Sequence, residues 1–244
     1  MTIQKTADLI RQSERICILT GAGISSESGI PTFRDKQTGL WENHRAEDLA
    51  NINAFHRDPK FVWGWYQWRR GQMADKRPNP AHHALADLEK WALENSKTFT
   101  LITQNVDDLH EQAGSTATHL HGHLWRNKCS ECGQAYEGEL DYADDALLTC
   151  PNCGGWVRPD IVWFGENLPK DAWVLAEQAS SQCDVFMSIG TSSLVYPAAG
   201  LSQLAKQCGA TIVEVNPNPT QSPHIDVMIE EKAGVALPEI INAL

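Results

Sequence analysis

The amino-acid sequence predicts an α/β fold with a parallel β-sheet and a second, smaller domain. Short runs of β-branched and apolar residues recur along the chain, and helical patterns separate most of them, which is typical of a parallel sheet. Two stretches break this alternation, one of them rich in tryptophan and charge and the other containing two cysteine pairs. With 244 residues, the chain is long enough for one large domain and a smaller insertion. We therefore expect residues 1–35, 78–124 and 160–244 to form the large domain, and residues 36–77 and 125–159 to form the small one.

Strands are predicted where the apolar runs are bounded by turn-forming residues. They cover residues 16–20, 98–103, 118–121, 185–190 and 211–216, with residues 226–229 as a candidate edge strand. Among the helices, Asn79 before Pro80 is a typical start, and that helix is expected to run to about Asn95. Further helices are predicted over residues 107–113, 197–208 and 237–244, the first two ended by glycines.

The composition excludes several classes of function. The chain has 20 basic and 31 acidic residues, a net charge of −11 at pH 7, which argues against non-specific binding of nucleic acid and against docking on an anionic membrane. No stretch approaches the ~18 consecutive apolar residues of a membrane span, and the N-terminal segment lacks the apolar run of a signal peptide. We therefore expect a monomeric cytoplasmic protein, in which Cys17, Cys183 and Cys208 are inert core thiols because they fall in apolar segments.

A glycine-rich turn, Gly21-Ala22-Gly23, follows the first predicted strand directly. Glycines at a strand end let backbone N–H groups approach a pyrophosphate. A dehydrogenase fingerprint requires a third glycine, where this chain has Ser26, and an acidic residue about twenty positions on, which is missing. The turn is followed by a polar segment ending in Phe33, Arg34 and Asp35, a loop able to fold over a bound dinucleotide. An ordinary glycine-rich connection is an equally good interpretation of this stretch alone.

Polar residues also follow three other predicted strands. Such positions line the ligand crevice of open α/β sheets, because the carboxyl ends of parallel strands share one edge. They are Gln104, Asn105 and Asp107 after one strand, Gly190, Thr191 and Ser192 after another, and Asn216, Pro217 and Asn218 after a third. Each group alone is common in loops and helix caps. Together they indicate one long, polar ligand, and a dinucleotide fits.

Two CxxC pairs, Cys129 with Cys132 and Cys150 with Cys153, have the spacing of a zinc site. Two residues between cysteines let both thiolates reach one ion, and the second pair completes a tetrahedral shell. Since four sulfurs fill the shell, we expect one structural Zn²⁺ with no open position for water. A redox pair is the weaker alternative.

Three histidines, His119, His121 and His123, alternate over a predicted strand end. Alternation places side chains on one face, which allows a metal site. A histidine at a strand end beside a glycine also suits a general base, and structural histidines are a third interpretation. The residues alone do not choose among the three.

The chain resembles a known family, the sirtuins, which are NAD-dependent protein-lysine deacylases. The resemblance rests on GAGISxxSGIPxFR at residues 21–34, TQNVDxLH at 103–110, HG at 121–122, the two CxxC pairs, FGE at 164–166, GTS at 190–192 and VNP at 215–217. These motifs span nearly the whole chain in the order of the family. The resemblance implies a Rossmann-like domain with helices on both faces of its sheet, and a small domain formed by a zinc module and a helical excursion.

The resemblance also implies which residues contact NAD. By similarity, Gly21, Ala22, Gly23 and Ile24 hold the pyrophosphate, and Phe33, Arg34 and Asp35 belong to a loop that closes over NAD. Gln104, Asn105 and Asp107 face the nicotinamide, and Gly190, Thr191, Ser192, Asn216, Pro217, Asn218 and Ala233 line the adenosine end. His121 is the implied general base on a ribose hydroxyl, in a reaction that yields free lysine, nicotinamide and O-acyl-ADP-ribose. His119 and His123 are then structural.

The acylated substrate is implied by similarity to bind between two segments. Residues 162–165, including Val162, Phe164 and Gly165, and residues 193–196 look like the two strands that sandwich an extended peptide. Tyr66 and Arg69 lie three residues apart on a predicted helix and share a face, where they suit a carboxylate or form an ordinary surface pair. Tyr-x-x-Arg and the small Ala50 resemble the sirtuin class that removes succinyl and malonyl groups, so we expect dicarboxylic acyl-lysine substrates together with acetyl-lysine.

Three other functions are consistent with the same motifs. An acetyl-only deacetylase would keep the family but not the carboxylate pocket. A protein ADP-ribosyltransferase would use the same NAD pocket with a different acceptor. A non-catalytic NAD sensor would bind NAD without releasing nicotinamide.

Overall fold

A computed structural model describes residues 2–31, 45–138 and 146–244. The helices are α1 (Thr2–Gln12), α2 (Gly23–Ser26), α3 (Ala46–Leu49), α4 (Ile52–Arg57), α5 (Pro59–Met73), α6 (Pro80–Glu94), α7 (Leu109–Ala113), α8 (Lys170–Gln182), α9 (Leu201–Gln207) and α10 (Ala233–Asn242), with a 3₁₀ turn at Ala198–Gly200. The strands are β1 (Arg15–Thr20), β2 (Thr98–Thr103), β3 (Ala117–His119), β4 (Gly122–Cys129), β5 (Val157–Ile161), β6 (Val185–Ile189), β7 (Thr211–Val215) and β8 (Val227–Ile229).

Six strands form a parallel sheet in the order β3-β2-β1-β6-β7-β8. The chain builds outward from β1 in one direction through β2 and β3, and in the other through β6, β7 and β8. The order therefore reverses between β1 and β6, and a ligand crevice of an α/β sheet lies at the carboxyl ends of the strands on either side of such a point. The Rossmann-like parallel sheet predicted from the sequence is confirmed.

The sheet is buried on both faces because its strands are apolar at successive positions. On β1, Ile16 and Ile18 belong to one hydrophobic cluster, which includes residues of α6 and α10. Cys17 and Leu19 point to the opposite face and join a second cluster, which includes residues of α8 and α9. Helices thus cover both faces, as expected.

The remaining two strands form a separate antiparallel ribbon. β4 pairs with β5, with Gly122 opposite Ile161 at one end and Cys129 opposite Val157 at the other. Most of both strands falls within residues 125–159, which break the α/β alternation, but β4 begins three residues before this part and β5 ends two residues after it. A third hydrophobic cluster, separate from those of the large sheet, combines residues of α4 and α5 with residues in and after this ribbon.

Helix caps form where the sequence supplies them. The Asn79 side chain accepts a hydrogen bond from the N–H of Ala81, and the His82 side chain accepts one from the N–H of Asn79, so α6 starts with a capping box. The side chain of Asp58 accepts from the N–H of Phe61 and caps α5 in a similar way.

Several sequence-based boundaries were wrong. β3 ends at His119 rather than at residue 121, because Gly122 takes φ +77° and starts the ribbon instead. α10 begins at Ala233, four residues before the predicted start, because Ala233, Ala236 and Leu237 pack into the core. Cys208 is exposed, whereas Cys17 and Cys183 are buried as expected. None of the helices within the described ranges is long and apolar enough to cross a membrane.

Candidate active site

The turn after β1 packs directly against the loop after β6. The N–H of Gly21 donates to the carbonyl of Ile189 at 3.0 Å, and the N–H of Gly23 donates to the carbonyl of Gly190 at 2.8 Å. A Cβ on Gly23 would lie 2.6 Å from the Gly190 oxygen, and one on Gly21 would lie 2.8 Å from Thr191. Both residues must be glycine because two backbones meet here.

These contacts change the physical role of the glycine-rich turn. From the sequence, the glycines are expected to bring their N–H groups to a phosphate, but both groups donate inside the protein. The N–H of Ala22 has no acceptor in the part of the chain that the structure describes. Ala22, held between the two glycines, is therefore the better placed donor for an anion, and Ile24 behind it is fully buried.

Polar side chains after β2 form one hydrogen-bonded group with Ser25 of α2. The amide of Asn105 donates to the Ser25 hydroxyl at 3.1 Å, and this hydroxyl donates to the carboxyl of Asp107 at 3.1 Å. All three side chains are buried. Burial raises the pKa of Asp107, while its hydrogen bonds from Leu109 and Ser25 oppose the shift. Ser25 is not among the site residues predicted from the sequence, although its place inside the glycine-rich motif is an available signal.

Gln104 connects this group to the loop after β6. Its amide donates to the hydroxyl of Thr191 at 3.0 Å, and the amide of Asn216, after β7, donates to the Thr191 carbonyl at 2.9 Å. The Asn216 side chain also accepts from the N–H of Asn218. Residues predicted on three separate loops are thus joined along the carboxyl edge of the sheet.

The remaining predicted cofactor residues lie around this edge. Ser192 follows Thr191 and is partly exposed, Pro217 is exposed between the two asparagines, and Ala233 is buried at the first turn of α10. The N–H of the next residue, Gly234, donates to the carboxylate of Glu27 at 2.9 Å. Phe33, Arg34 and Asp35 lie outside the described residues.

The hydrogen bond of His121 defines which of its ring nitrogens carries the proton. Its Nδ1 lies 3.0 Å from the carbonyl oxygen of Gln104, and since a carbonyl only accepts, Nδ1 carries the proton. Burial lowers the pKa of His121, with the hydrogen bond to Gln104 opposing the shift. The imidazole is therefore neutral at pH 7, and its Nε2 presents a lone pair that can take a proton.

The neighbouring histidines have different surroundings. His119 donates from Nδ1 to the carbonyl of Asn105 at 2.9 Å and pairs through Nε2 with Glu111 at 2.9 Å. Burial opposes a charge on His119, but the hydrogen bond and charge of Glu111 raise its pKa overall. Burial and the nearby His119 lower the pKa of His123 to about 4. Because both nitrogens of His119 are engaged, it does not offer a free base.

The residues predicted to contact the acyl-lysine come together beside His121. The N–H of Val162 donates to the His121 carbonyl at 2.9 Å, and the N–H of Phe164 donates to the Ala50 carbonyl at 3.0 Å. Gly165 follows with φ +89°, a left-handed conformation that favours glycine. Phe164 is exposed, so the segment presents an apolar side chain at the surface.

Tyr66 and Arg69 lie on α5, which contacts this segment through Trp163. The Tyr66 hydroxyl accepts a hydrogen bond from Nε1 of Trp163 at 2.7 Å, and the Arg69 guanidinium lies 5.1 Å from the Trp65 ring centroid. Burial raises the pKa of Tyr66 to about 12, with the charge of Arg69 opposing the shift. Burial lowers the pKa of Arg69, with the charges of Tyr66 and Asp107 opposing the shift. Trp163 is not among the site residues predicted from the sequence, where its only signal is its place next to Phe164.

The four paired cysteines form a single cluster. Their sulfur atoms all lie within 4.8 Å of one another, with Cys129 3.4 Å from Cys153 and Cys132 3.9 Å from Cys150. Tetrahedral zinc with Zn–S bonds of about 2.3 Å suits such a cluster. The residues present therefore fit one structural Zn²⁺, as the sequence analysis expected.

The fold and the site define an α/β protein whose ligand crevice lies at the strand-order reversal, beside a metal-binding ribbon. Residues 21–197 match the Sir2 family, and the chain belongs to that family. It is 46% identical over 238 residues to NAD-dependent protein deacylase 2 of Pyrobaculum aerophilum, covering 97% of this chain and 93% of the relative. It is 47% identical over 244 residues to the NAD-dependent protein deacylase of Methylococcus capsulatus, covering 96% and 94%.

Solved structures agree with this assignment. A Sir2 homologue in complex with NAD superposes with a TM-score of 0.90 at 43% identity, covering 98% of this chain and 92% of the other. A Sir2 protein bound to an acetylated peptide superposes with a TM-score of 0.86 at 31% identity, covering 99% and 98%.

Replacing Gly23 tests the close approach of the two backbones. Gly23→Ala is expected to lower the free energy of unfolding by ~1–3 kcal/mol, because its Cβ is forced against backbone atoms of Gly190. Gly71→Ala is the matched control: nothing lies within 4 Å of its Cβ, and alanine in a helix stabilises by up to ~1 kcal/mol. Urea unfolding measures both, and equal stability of Gly23→Ala and wild type would contradict the tight contact.

Removing one cysteine tests the metal cluster. Wild-type protein is expected to contain one zinc ion per chain by elemental analysis, and Cys150→Ser to contain none, because three thiolates leave the shell incomplete. Cys208→Ser removes an exposed cysteine outside the cluster and is expected to keep the ion. Zinc retained by Cys150→Ser would show that the four sulfurs do not bind as one site.

Proposed function

We propose that this chain is an NAD-dependent protein-lysine deacylase that removes succinyl and malonyl groups and also acetyl groups. The observation that carries the proposal is the position of His121. Its imidazole donates from Nδ1 to the carbonyl of Gln104 in the loop after β2, and its backbone carbonyl accepts from the N–H of Val162 at the start of the segment at residues 162–165. The two deacylase relatives, the NAD complex and the acetylated-peptide complex support NAD-dependent deacylation, and the acyl preference is proposed from residues of this chain.

NAD is proposed to extend along the carboxyl edge of the sheet. Ala22 donates to the pyrophosphate, Asn105 and Asp107 face the nicotinamide with Gln104, and Thr191 and Asn216 bound the adenosine end. The other proposed contacts are Gly21, Gly23, Ile24, Phe33, Arg34, Asp35, Gly190, Ser192, Pro217, Asn218 and Ala233. NAD acts as co-substrate, since its ribose receives the acyl group once nicotinamide has left.

The protein substrate is proposed to bind as an extended strand. The segment at residues 162–165 forms one side and the segment at residues 193–196 forms the other. Phe164, Leu194 and Tyr196 are large exposed side chains on these segments, with Tyr196 73% exposed. Backbone pairing of this kind gives affinity with a loose dependence on the substrate sequence.

The catalytic role proposed for His121 follows from its proton arrangement. The Gln104 carbonyl fixes the proton on Nδ1, so Nε2 faces the substrate as an acceptor. His121 then removes a proton from a ribose hydroxyl, which attacks the carbon of the transferred acyl group. A half-buried neutral imidazole suits this step because no proton must first be lost.

The acyl preference is proposed from the residues below the peptide segment. Tyr66 stays a phenol at neutral pH, because burial raises its pKa to about 12, and can donate to a carboxylate. Arg69 adds a positive charge within electrostatic reach of Tyr66. Ala50, whose carbonyl pairs with Phe164, leaves room for a longer acyl chain because its side chain is small. These groups suit an acyl chain that ends in a carboxylate.

The division into domains is proposed with the boundaries given above. Residues 36–77 and 125–159 form the small domain, and the rest forms the NAD-binding domain. Substrates then enter the cleft between the two. We also propose that the chain acts as a monomer in the cytoplasm.

Loss of His121 tests the activity. Mass spectrometry of one peptide in acetyl- and succinyl-lysine forms is expected to show NAD-dependent deacylation, and His121→Ala to lower it by at least ~10²-fold, because the general base is removed. His56→Ala replaces an exposed histidine of α4 and is expected to retain activity. Since burial lowers the pKa of His121 below its ordinary 6.5, wild-type activity is expected to fall only when the pH drops below that value.

The reaction products distinguish a deacylase from an ADP-ribosyltransferase and from an NAD sensor. Transfer of label from NAD to protein would indicate ADP-ribosyl transfer. NAD binding without release of nicotinamide would indicate a sensor. Either result contradicts the deacylase proposal.

Loss of Arg69 tests the acyl preference. Arg69→Met is expected to lower kcat/KM for the succinyl peptide by about 10- to 100-fold, because a charged hydrogen-bond donor to the carboxylate is lost. The acetyl peptide has no carboxylate, so its rate is expected to change little. Arg57→Met, at an exposed position of α4, is the control. Removal of acetyl alone by wild type, or an unchanged desuccinylation rate in Arg69→Met, would contradict the pocket.

A further inference from the structure

Trp163 is held on several sides in the cluster beside the proposed acyl pocket. Its side chain is 1% exposed, and its ring packs at 5.2 Å from Phe55 and 6.1 Å from Tyr66 between ring centroids. The guanidinium carbon of Arg158 lies 3.3 Å from the ring centroid, the distance of a close cation–π contact. The indole is thus fixed by contacts from α4, α5 and β5.

Arg158 is itself fixed by Glu166. Its two terminal nitrogens donate to the Glu166 carboxylate at 2.5 and 2.9 Å, and one of them also donates to the Ile161 carbonyl at 2.7 Å. The same carboxylate accepts from the backbone N–H of Trp163 at 2.8 Å. One ion pair therefore holds both the backbone and the ring of Trp163.

The indole N–H of Trp163 donates a hydrogen bond to the Tyr66 hydroxyl. Indole Nε1 is a donor only, so in this 2.7 Å hydrogen bond the Tyr66 oxygen accepts. The O–H of Tyr66 must then point elsewhere, and no residue in the described ranges accepts it. Accepting one hydrogen bond also makes a hydroxyl a stronger donor, because hydrogen bonds in a chain polarise one another.

We propose that Trp163 is a positioning residue that sets acyl specificity by aiming the Tyr66 hydroxyl at the carboxylate of the acyl chain. Arg158 contributes by fixing the indole ring, and Glu166 contributes by fixing Arg158. This inference rests on the proposed function, since it requires a carboxylated acyl substrate. An acetyl group ends before it reaches such a donor, so the contribution of Trp163 is selective for the longer acyl chains.

The test is the ratio of succinyl to acetyl activity in Trp163→Phe. Phenylalanine keeps an aromatic ring for Arg158 but lacks the N–H, so the Tyr66 hydroxyl is free to turn away. The kcat/KM for the succinyl peptide is expected to fall by about tenfold, mainly through KM, because one hydrogen bond loses its orientation. The acetyl peptide has no carboxylate, so its kcat/KM is expected to fall by a smaller factor and the ratio of succinyl to acetyl activity to drop. Trp173→Phe, a partly buried tryptophan of α8 in another cluster, is the matched control.

A double-mutant cycle distinguishes positioning from general packing. Tyr66→Phe removes the hydroxyl that Trp163 is proposed to orient. If Trp163 acts through it, Trp163→Phe in the Tyr66→Phe background is expected to cause no further loss of succinyl selectivity. Thermal unfolding of all variants, with zinc content, checks that the fold is retained.

The results distinguish failure of this inference from failure of the proposed function. If wild type removes succinyl and Trp163→Phe lowers both activities equally, or if the two variants act additively, Trp163 only packs and the inference is overturned while the proposed function stands. If wild type removes acetyl alone, the acyl preference and the inference both fail. A succinyl-selective loss that disappears in the Tyr66→Phe background supports the inference.

Discussion

The close approach of two backbones at the strand-order reversal is the constraint on which the site depends. Gly21 and Gly23 donate to the carbonyls that end β6, and neither position has room for a Cβ. This contact locks the turn after β1 to the loop after β6, so that Ala22 and Thr191 lie at one edge of the sheet. The polar loops after β2 and β7 then attach to Thr191 through Gln104 and Asn216. Four separate loops therefore form the crevice. Hydrogen bonds hold them together, and the first of these bonds are donated by Gly21 and Gly23.

Much of the fold was predictable because local sequence carries its signals. Apolar runs such as Thr98–Thr103 marked strands, and the Asn79-Pro80 pair marked the start of α6, since buried strands and helix caps each demand particular residue types. The CxxC spacing predicted the sulfur cluster for the same reason: metal geometry fixes which residues must be near each other in sequence.

The parts that could not be predicted depend on contacts between distant residues. Three alternating histidines predict one strand, but the chain turns at Gly122, which takes φ +77° and has no room for a Cβ beside the Asp160 carbonyl. His119 and His121 then meet different acceptors. The protonation of His121 follows from a carbonyl seventeen residues earlier. The hydrogen bond between Trp163 and Tyr66 joins residues 97 positions apart, and no local pattern encodes it.

The ribbon connects the metal cluster to the proposed chemistry. At one end Cys129 pairs with Val157, and at the other Gly122 pairs with Ile161, directly after His121. The His121 carbonyl accepts the N–H of Val162, so the two strands that meet the sulfur cluster at one end fix the backbone of the proposed base at the other. Arg158, on β5 near the cysteine end, reaches Glu166 and the ring of Trp163. A zinc ion bound by the four cysteines would close the far end of the ribbon and fix β4 against β5, which would help to hold His121 and the segment at residues 162–165 in place.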